Sequence, residues 1–171
     1  VLVFQRNKVH RFIFSGNPIA PFTRDEIQTG RGCVGPDAAT VSGSDAFFLA
    51  EDGFYRMTFS GQVTPIGAGK VNQWFFDRCN TRDMALTIAR SDPKETRVYW
   101  KFRSNASDEG IYDEEIGFDW RLNLWYRVRD LPALDVFDMT TQDWVLEDFD
   151  ELYATLEDIP GSFDDAIWQG G

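Results

Sequence analysis

Short apolar runs broken by turn-forming residues occupy most of the chain. VLVF and VHRFIF flank Arg6-Asn7-Lys8, a hairpin signal in which Asn7 is expected to take the left-handed conformation of a tight turn. Gly16-Asn17-Pro18 and Pro21 end that pair. RGCVGPDAATVSG, AFFLA, FYRMTF and QVTPIG follow, separated by Gly43-Ser44, Glu51-Asp52-Gly53 and Ser60-Gly61, and predict a meander of four short strands. Asp-Gly between apolar runs is among the stronger local hairpin signals, because it supplies the backbone twist that the strands need. MALTIA, the polar turn SDPKE and TRVYWKF predict a further hairpin, and IGFDW, Arg121-Leu122-Asn123 and LWYRV another.

The turns at Asn7, Asp52, Asp92 and Asn123 are spaced by 45, 40 and 31 residues. Aromatic-basic pairs close most of these hairpins: Tyr55-Arg56, Trp100-Lys101 and Tyr126-Arg127. A loose period of this size predicts a mainly β fold of antiparallel β-meander blades over residues 1–142, a β-propeller or part of one. A β-sandwich with long hairpins is the rival architecture. Residues 143–171 differ in character. In DWVLEDFDELYATLEDIPG, Val145, Leu146, Phe149, Leu152 and Leu156 recur at three- and four-residue steps, which predicts a short acidic helical or loop segment leading into a further blade. Thr140, Thr141 or Asp143 would cap it, and Pro160-Gly161 would stop it.

The charge sharpens that division. The chain of 171 residues has a net charge of −11, yet every Lys and Arg lies at or before Arg129. Up to that point 17 basic residues meet 16 acidic ones, and beyond it stand 12 acidic residues and no basic one. The acidity is therefore a local strip on a nearly neutral scaffold. An acidic chain gains nothing from releasing counterions off duplex phosphate, so ordinary nucleic-acid binding is disfavoured, although a surface that repels DNA is not. A hydrophobic fraction of 43% with 15 Phe, 6 Trp and 5 Tyr supports a packed core and favours strands. No apolar run is long enough for a transmembrane helix, and no secretory pattern is read at the start. Val at position 1, opening a strand-like run, is read as a chain that is processed, trimmed or part of a longer one. Cys33 and Cys79 are expected to be reduced, buried thiols, although a single bridge between them stays open.

Candidate chemistry is sparse. His10, the single histidine, sits between Val9 and Arg11 on an expected strand and is read as structural. No G-x-S-x-G, Walker or G-x-G-x-x-G sequence occurs, and Cys33 with His10 lacks a local nucleophile signature. One His and two Cys do not complete a zinc site. Asp113-Glu114-Glu115, Glu147-Asp148 and Asp164-Asp165 lack the calcium-loop spacing and are read as solvated charge. No catalytic residue, cofactor or metal ligand is therefore expected. Trp74, Trp100, Trp120, Trp125, Trp144 and Trp168 suit either a sugar or base platform or the space between sheets. Packing is favoured for Trp100, Trp120 and Trp125, whereas Trp144 and Trp168 stay open.

Two stretches carry more than composition: GRGCVGPDAATVSGSDAFFLAEDGFYRMTFSGQVTPIGAGKVNQWFF, and FDWRLNLWYRV with LEDFDELYATLEDIPGSFDDAIWQGG. Their Gly-Cys turn, Asp-Gly-aromatic hairpin, Pro65-Ile66, Trp74-Phe75, and Trp120, Arg121, Asn123 and Trp125 are followed by an acidic Leu-Asp-rich segment from Leu152 to Gly171. Together they resemble the β-propeller region of the tail-hub or nozzle proteins of short-tailed bacteriophages, also called packaged-DNA stabilisation proteins. The resemblance implies a non-enzymatic virion structural protein of the tail nozzle or head–tail connector, made in the host bacterial cytoplasm. It implies a homo-oligomeric ring, six-fold, stacked on a portal or adaptor ring and other tail proteins. DNA would be non-specific cargo, retained and then ejected through the channel.

The acidic strip Glu147, Asp148, Asp150, Glu151, Glu157 and Asp158 is the candidate assembly or channel-facing surface. Facing the channel, its carboxylates would repel phosphate. Facing a neighbouring subunit, they would meet Arg97, Lys101, Arg103, Arg127 or Arg129. Two other readings stand beside this one. The first is a non-catalytic propeller-type binding module for a host-surface glycan or protein, and the second is a hydrolase using a carboxylate pair.

Overall fold

The computed structural model describes residues 1–92, 94–108, 110–128 and 132–135, all within the unit Val1–Phe137. The protein is mainly β, and the described residues form three antiparallel sheets. The first contains β1 (Leu2–Phe4), β2 (Lys8–Phe14) and β3 (Phe22–Thr29). The second contains β4 (Ala39–Ser42), β5 (Asp45–Ala50), β6 (Gly53–Thr58) and β7 (Val63–Pro65). The third contains β8 (Ile88–Ser91), β9 (Arg97–Phe102), β10 (Glu114–Asp119) and β11 (Leu124–Val128). In every sheet, neighbours in sequence are neighbours in space, so each is a plain meander.

The second sheet is the middle layer, and β5 shows why. DAFFLA is buried at every position, the pattern of a strand covered on both faces. Because successive side chains alternate, Phe48 points to one face and Phe47 to the other. Phe48 meets Phe4 of β1 at 5.1 Å between ring centroids. Phe47 meets Phe118 of β10 at 6.3 Å and stacks against Trp120. Phe54, opposite Leu49 and so on the Phe47 face, touches Trp100 and Trp125 of the third sheet at 4.9 and 5.1 Å. Phe47, Phe48, Phe54, Trp100 and Phe102 are fully buried, and each such side chain contributes roughly 2–3 kcal/mol by leaving water.

A longer connection joins the second sheet to the third. It holds α1 (Asn72–Arg78) and a 3-10 turn, Met84–Leu86. Phe75 of α1 sits between Phe54 and Phe102, at 4.9 and 4.8 Å. The shorter connection from β3 to β4 crosses the end of β1 at Gly32, where a Cβ would lie 1.8 Å from the Gln5 carbonyl oxygen. Cys33 N–H then donates to that same oxygen at 2.9 Å.

Several expectations change. The Asn7 hairpin forms, but Asn123 is the non-glycine residue with positive φ, at 56°, among the described residues, so Asn7 turns the chain without a left-handed step. The four hairpin units become three sheets, because the Asp92 and Asn123 turns both lie within the third meander. β3, FTRDEIQT, was not expected as a strand, since it is polar and mostly exposed, an edge strand without an apolar alternation. α1 was not expected either, being about two apolar-rich turns docked on the core rather than a long amphipathic pattern. A two-layer sandwich is replaced by three layers. The boundary at residue 142 and the helical reading of residues 143–171 lie outside the described residues.

Candidate functional site

Among the described residues the stack has two outer faces, and these are the candidate functional surfaces. On the third sheet, Val98, Trp100 and Phe102 of β9 point into the core. Alternation therefore turns Arg97 and Tyr99 outward. Gly117 of β10 pairs with Tyr99 on one side and Tyr126 of β11 on the other. A Cβ at Gly117 would stand 2.3 Å from Tyr126 Cζ, so the bare glycine is what lets Tyr126 lie across the strand. Tyr99 and Tyr126 meet edge to face at 6.2 Å. With Arg97, Glu115, Asp119, Leu122, Leu124 and Val128 they line a shallow concavity of about 710 Å³. Burial pushes the Tyr126 hydroxyl well above the ordinary tyrosine range, so it stays a neutral phenol.

On the first sheet, Val9 points into the core and is fully buried. Alternation places His10, Phe12 and Phe14 on the other face. Phe14 and Phe22 pair edge to face at 5.7 Å while remaining 70% and 56% exposed. Lys8 bridges to Glu26 at 2.7 Å across the same sheet. Both outer faces thus combine aromatic surface with charged edges.

Between the second and third sheets lies a polar cleft of about 510 Å³ that includes Arg56, Lys70, Trp120 and Asn123. Arg56 is held by the buried carboxylate of Asp45 and lies over the rings of Phe47 and Trp120 at 6.0 and 5.8 Å. Lys70 Nζ donates to Asn123 Oδ1 at 2.8 Å. At the β5–β6 turn, Asp52 accepts from Tyr55 Oη at 2.8 Å and Arg31 Nε at 3.0 Å. Burial works to raise the Asp52 carboxyl, but these bonds outweigh it and hold it below its ordinary value. Tyr55 is pushed up by burial and by its bond to Asp52.

The acidic strip Glu147, Asp148, Asp150, Glu151, Glu157 and Asp158 lies outside the described residues, as do Trp144, Trp168 and Arg129. The basic residues suggested as its partners are largely committed within the chain. Lys101 is 4% exposed and bonds Glu115 at 3.2 Å. Arg127 forks onto Glu114 at 2.9 and 2.7 Å, and Arg103 pairs with Asp83 at 3.5 Å while covering the Tyr112 ring. Arg97 borders the open concavity. The Asp113-Glu114-Glu115 run is spent the same way, since Asp113 accepts from the Ser104 backbone N–H and hydroxyl.

Cys33 and Cys79 are both free and buried. Desolvation raises both thiols, Cys79 to about 12. Cys33 belongs to the core cluster with Val9, whereas His10 faces the other way, so the two do not form a nucleophile–base pair. Trp100, Trp120 and Trp125 pack between sheets as expected, with Trp120 Nε1 donating to Ser42 Oγ and Trp125 Nε1 to the Ile66 carbonyl, each at 3.0 Å. Trp100 Nε1 is buried without a partner. Trp74 lies under Arg78 and Arg127, at 4.9 and 5.8 Å.

Among the described residues, no group of three or more His, Cys, Asp or Glu is placed to hold a metal, and no helix is long and apolar enough to cross a membrane. The Tyr99–Gly117–Tyr126 row was not singled out from sequence. Its one signal was a glycine inside an apolar strand, which marks close approach of another group. No protein-family profile matches the chain, and no curated protein matches it significantly.

Proposed function

We propose that the chain is a section of a β-propeller and serves as a non-catalytic wall element of a phage tail nozzle or connector, in a ring of identical subunits through which packaged DNA is retained and then ejected. The observation that carries this reading is the stacking of successive meanders in a single register. β4 lies beside β8, β5 and β6 pack on β9, β10 and β11 through aromatic side chains, and both outer faces present further aromatic surface. Propellers are built by repeating that step around an axis. The resemblance of the two sequence stretches supplies the virion setting.

The acidic strip would face a subunit neighbour or the DNA path. Because most of the suggested basic partners are already paired, the DNA path is the better supported of the two. Particle imaging and fractionation of virions test the proposal: the protein should sediment with tails and form rings, and a full-length product that stays a soluble monomer would count against it. Replacing Glu147, Asp148, Asp150 and Glu151 by amides should impair assembly or DNA release and leave the fold intact. Normal infectivity of such particles would make the strip a solvated face.

The Tyr99–Tyr126 concavity favours one second reading, a binding module for a host-surface glycan or protein, since aromatic faces in shallow hollows suit sugar rings. A glycan array with a Tyr126→Ala control tests it, and an empty array removes its support.

A further inference from the structure

The face of the second sheet that looks onto the third changes character along its strands. Leu49, Phe54 and Ile66 form an apolar row, since Leu49 pairs with Phe54 and Ile66 N–H donates to the Phe54 carbonyl at 3.0 Å. Trp100 and Trp125 close over this row. The next row is Phe47, Arg56 and Thr64, and the one beyond it holds Thr58 and Gln62. Cross-strand partners share a face, so apolar contact gives way to guanidinium, hydroxyl and amide groups. The cleft of about 510 Å³ lies against these polar rows, with Phe118, Trp120 and Asn123 of the third meander opposite.

The chemistry of this cleft is one-sided. Among the described residues that line it, the charged ones are Arg56 and Lys70 and no carboxylate is present, in a chain with 28 Asp or Glu. Each cation is held from behind. Arg56 Nε and Nη2 both meet Oδ2 of the buried Asp45, and the guanidinium lies over the Phe47 and Trp120 rings. Those contacts fix its plane and leave the Nη1 end for another acceptor. Lys70 Nζ spends two of its three hydrogens on Asn123, on Oδ1 at 2.8 Å and on the carbonyl oxygen at 3.3 Å. An ammonium only donates, so Asn123 turns its oxygen to Lys70 and keeps its Nδ2 hydrogens for a further acceptor. Thr64 of β7 adds a hydroxyl and Gln62 an amide. Donors therefore arrive from β6, β7, the β7–α1 connection and the β10–β11 turn.

We propose that this cleft binds a small phosphate monoester. A carboxylate offers two oxygens in one plane, whereas a phosphate group presents three in different directions and so matches donors that arrive from several segments. A monoester carries roughly −1.5 to −2 charges at pH 7, which balances the two lining cations. Ile66, Phe118 and Trp120 supply apolar wall for the organic part, and walls of low polarity strengthen the field of the cations between them. The site is built from residues of two packed sheets, and it rests on neither the virion reading nor the glycan one.

The test is a titration of the full chain with glycerol phosphate, followed by amide and indole NMR at constant ionic strength. Saturable shifts should appear at Thr64, Lys70, Asn123 and the Trp120 indole N–H, and inorganic phosphate should compete. Lys70→Gln and Thr64→Val change exposed side chains, so the fold should be kept. The first should lower affinity about tenfold, the loss expected for one charge-assisted hydrogen bond, and the second by less. Arg56→Lys keeps a cation beside Asp45 but loses the guanidinium fork, and should also weaken binding. Two further probes fix the chemistry and source of the ligand: a dinucleotide phosphodiester, and succinate, a dicarboxylate of matching charge. Both should bind more weakly than glycerol phosphate. Equal binding of the diester would move the site to a nucleic-acid backbone, and equal binding of succinate would make it a carboxylate site; either result overturns the proposal. So would the absence of saturable shifts, or an affinity that Lys70→Gln leaves unchanged.

Discussion

Phe47 and Phe48 are consecutive residues that hold two different interfaces: Phe48 closes on Phe4 of the first sheet, and Phe47 on Phe118 and Trp120 of the third. One peptide unit thus couples three layers. A strand that serves two interfaces loses the polar alternation of a half-exposed strand, and DAFFLA accordingly reads as an unbroken apolar run.

Truncating either ring should therefore loosen a different partner. Phe47→Ala and Phe48→Ala should each cost about 3–5 kcal/mol in urea unfolding, the range for emptying a fully buried aromatic site. Hydrogen exchange separates them. Phe48→Ala should speed exchange mainly in β1–β3, and Phe47→Ala mainly in β8–β11.

Gly117 and Tyr126 form a second coupled pair. Gly117→Ala would drive a methyl group into the tyrosine ring, and a destabilisation of about 1–3 kcal/mol is expected from overpacking. In a double-mutant cycle, Gly117→Ala combined with Tyr126→Ala should cost clearly less than the two changes added together. Simple additivity would mean that the ring moves aside without penalty.

The two thiols should behave as core atoms. With Cys33 and Cys79 buried and free, and Cys79 raised to about 12, little thiolate forms in the native chain. A thiol-specific chromogenic reagent at mildly alkaline pH should leave both unmodified in the native protein and titrate both once denaturant is added. Rapid modification of the folded chain would contradict the packing around them.

Asp119 gives the third sheet an acid-sensitive turn. Its carboxylate accepts from Leu122 N–H, Thr96 Oγ1 and Arg121 N–H, and these bonds hold it below the ordinary carboxylate value of 3.8. The folded state thus favours the ionised form. The resulting stability is present above the unfolded-state pKa and disappears as pH falls through the lower folded one. Asp119→Ala should lower Tm at neutral pH, and the gap from wild type should close in acid below 3.8. A gap that stays constant with pH would show that the turn does not depend on the charge.

Local signals made much of this legible in the chain. The turns at Gly43-Ser44, Asp52-Gly53 and Ser60-Gly61 sit where expected, because turn chemistry is carried by the turn residues themselves. The inward packing of Trp100, Trp120 and Trp125 was also readable, since a large apolar side chain on a short strand has few other places to go. β3 and α1 were not readable. FTRDEIQT becomes a strand by pairing with β2, and NQWFFDR becomes a helix because Phe75 finds a socket between Phe54 and Phe102. Phe54 and Phe102 are distant from Phe75 in sequence, and β3, although it follows β2 directly, carries no apolar alternation to announce its pairing. The Tyr99–Tyr126 concavity stayed hidden because only the pairing of three strands brings Tyr99, Gly117 and Tyr126 into one row.

By itself, then, the sequence determined the strand-and-turn character of the scaffold, its dry aromatic core, and the separation of a nearly neutral body from an acidic C-terminal strip, because propensity, hydrophobicity and charge are properties of residues and short windows. Only the tertiary structure decided that two expected hairpins merge into one sheet, that Phe47 and Phe48 face opposite layers, and that Lys101, Arg103 and Arg127 are spent on internal carboxylates. Those outcomes depend on which surfaces meet across the stack, and contact between distant segments is set by packing the whole chain at once rather than by any stretch of it.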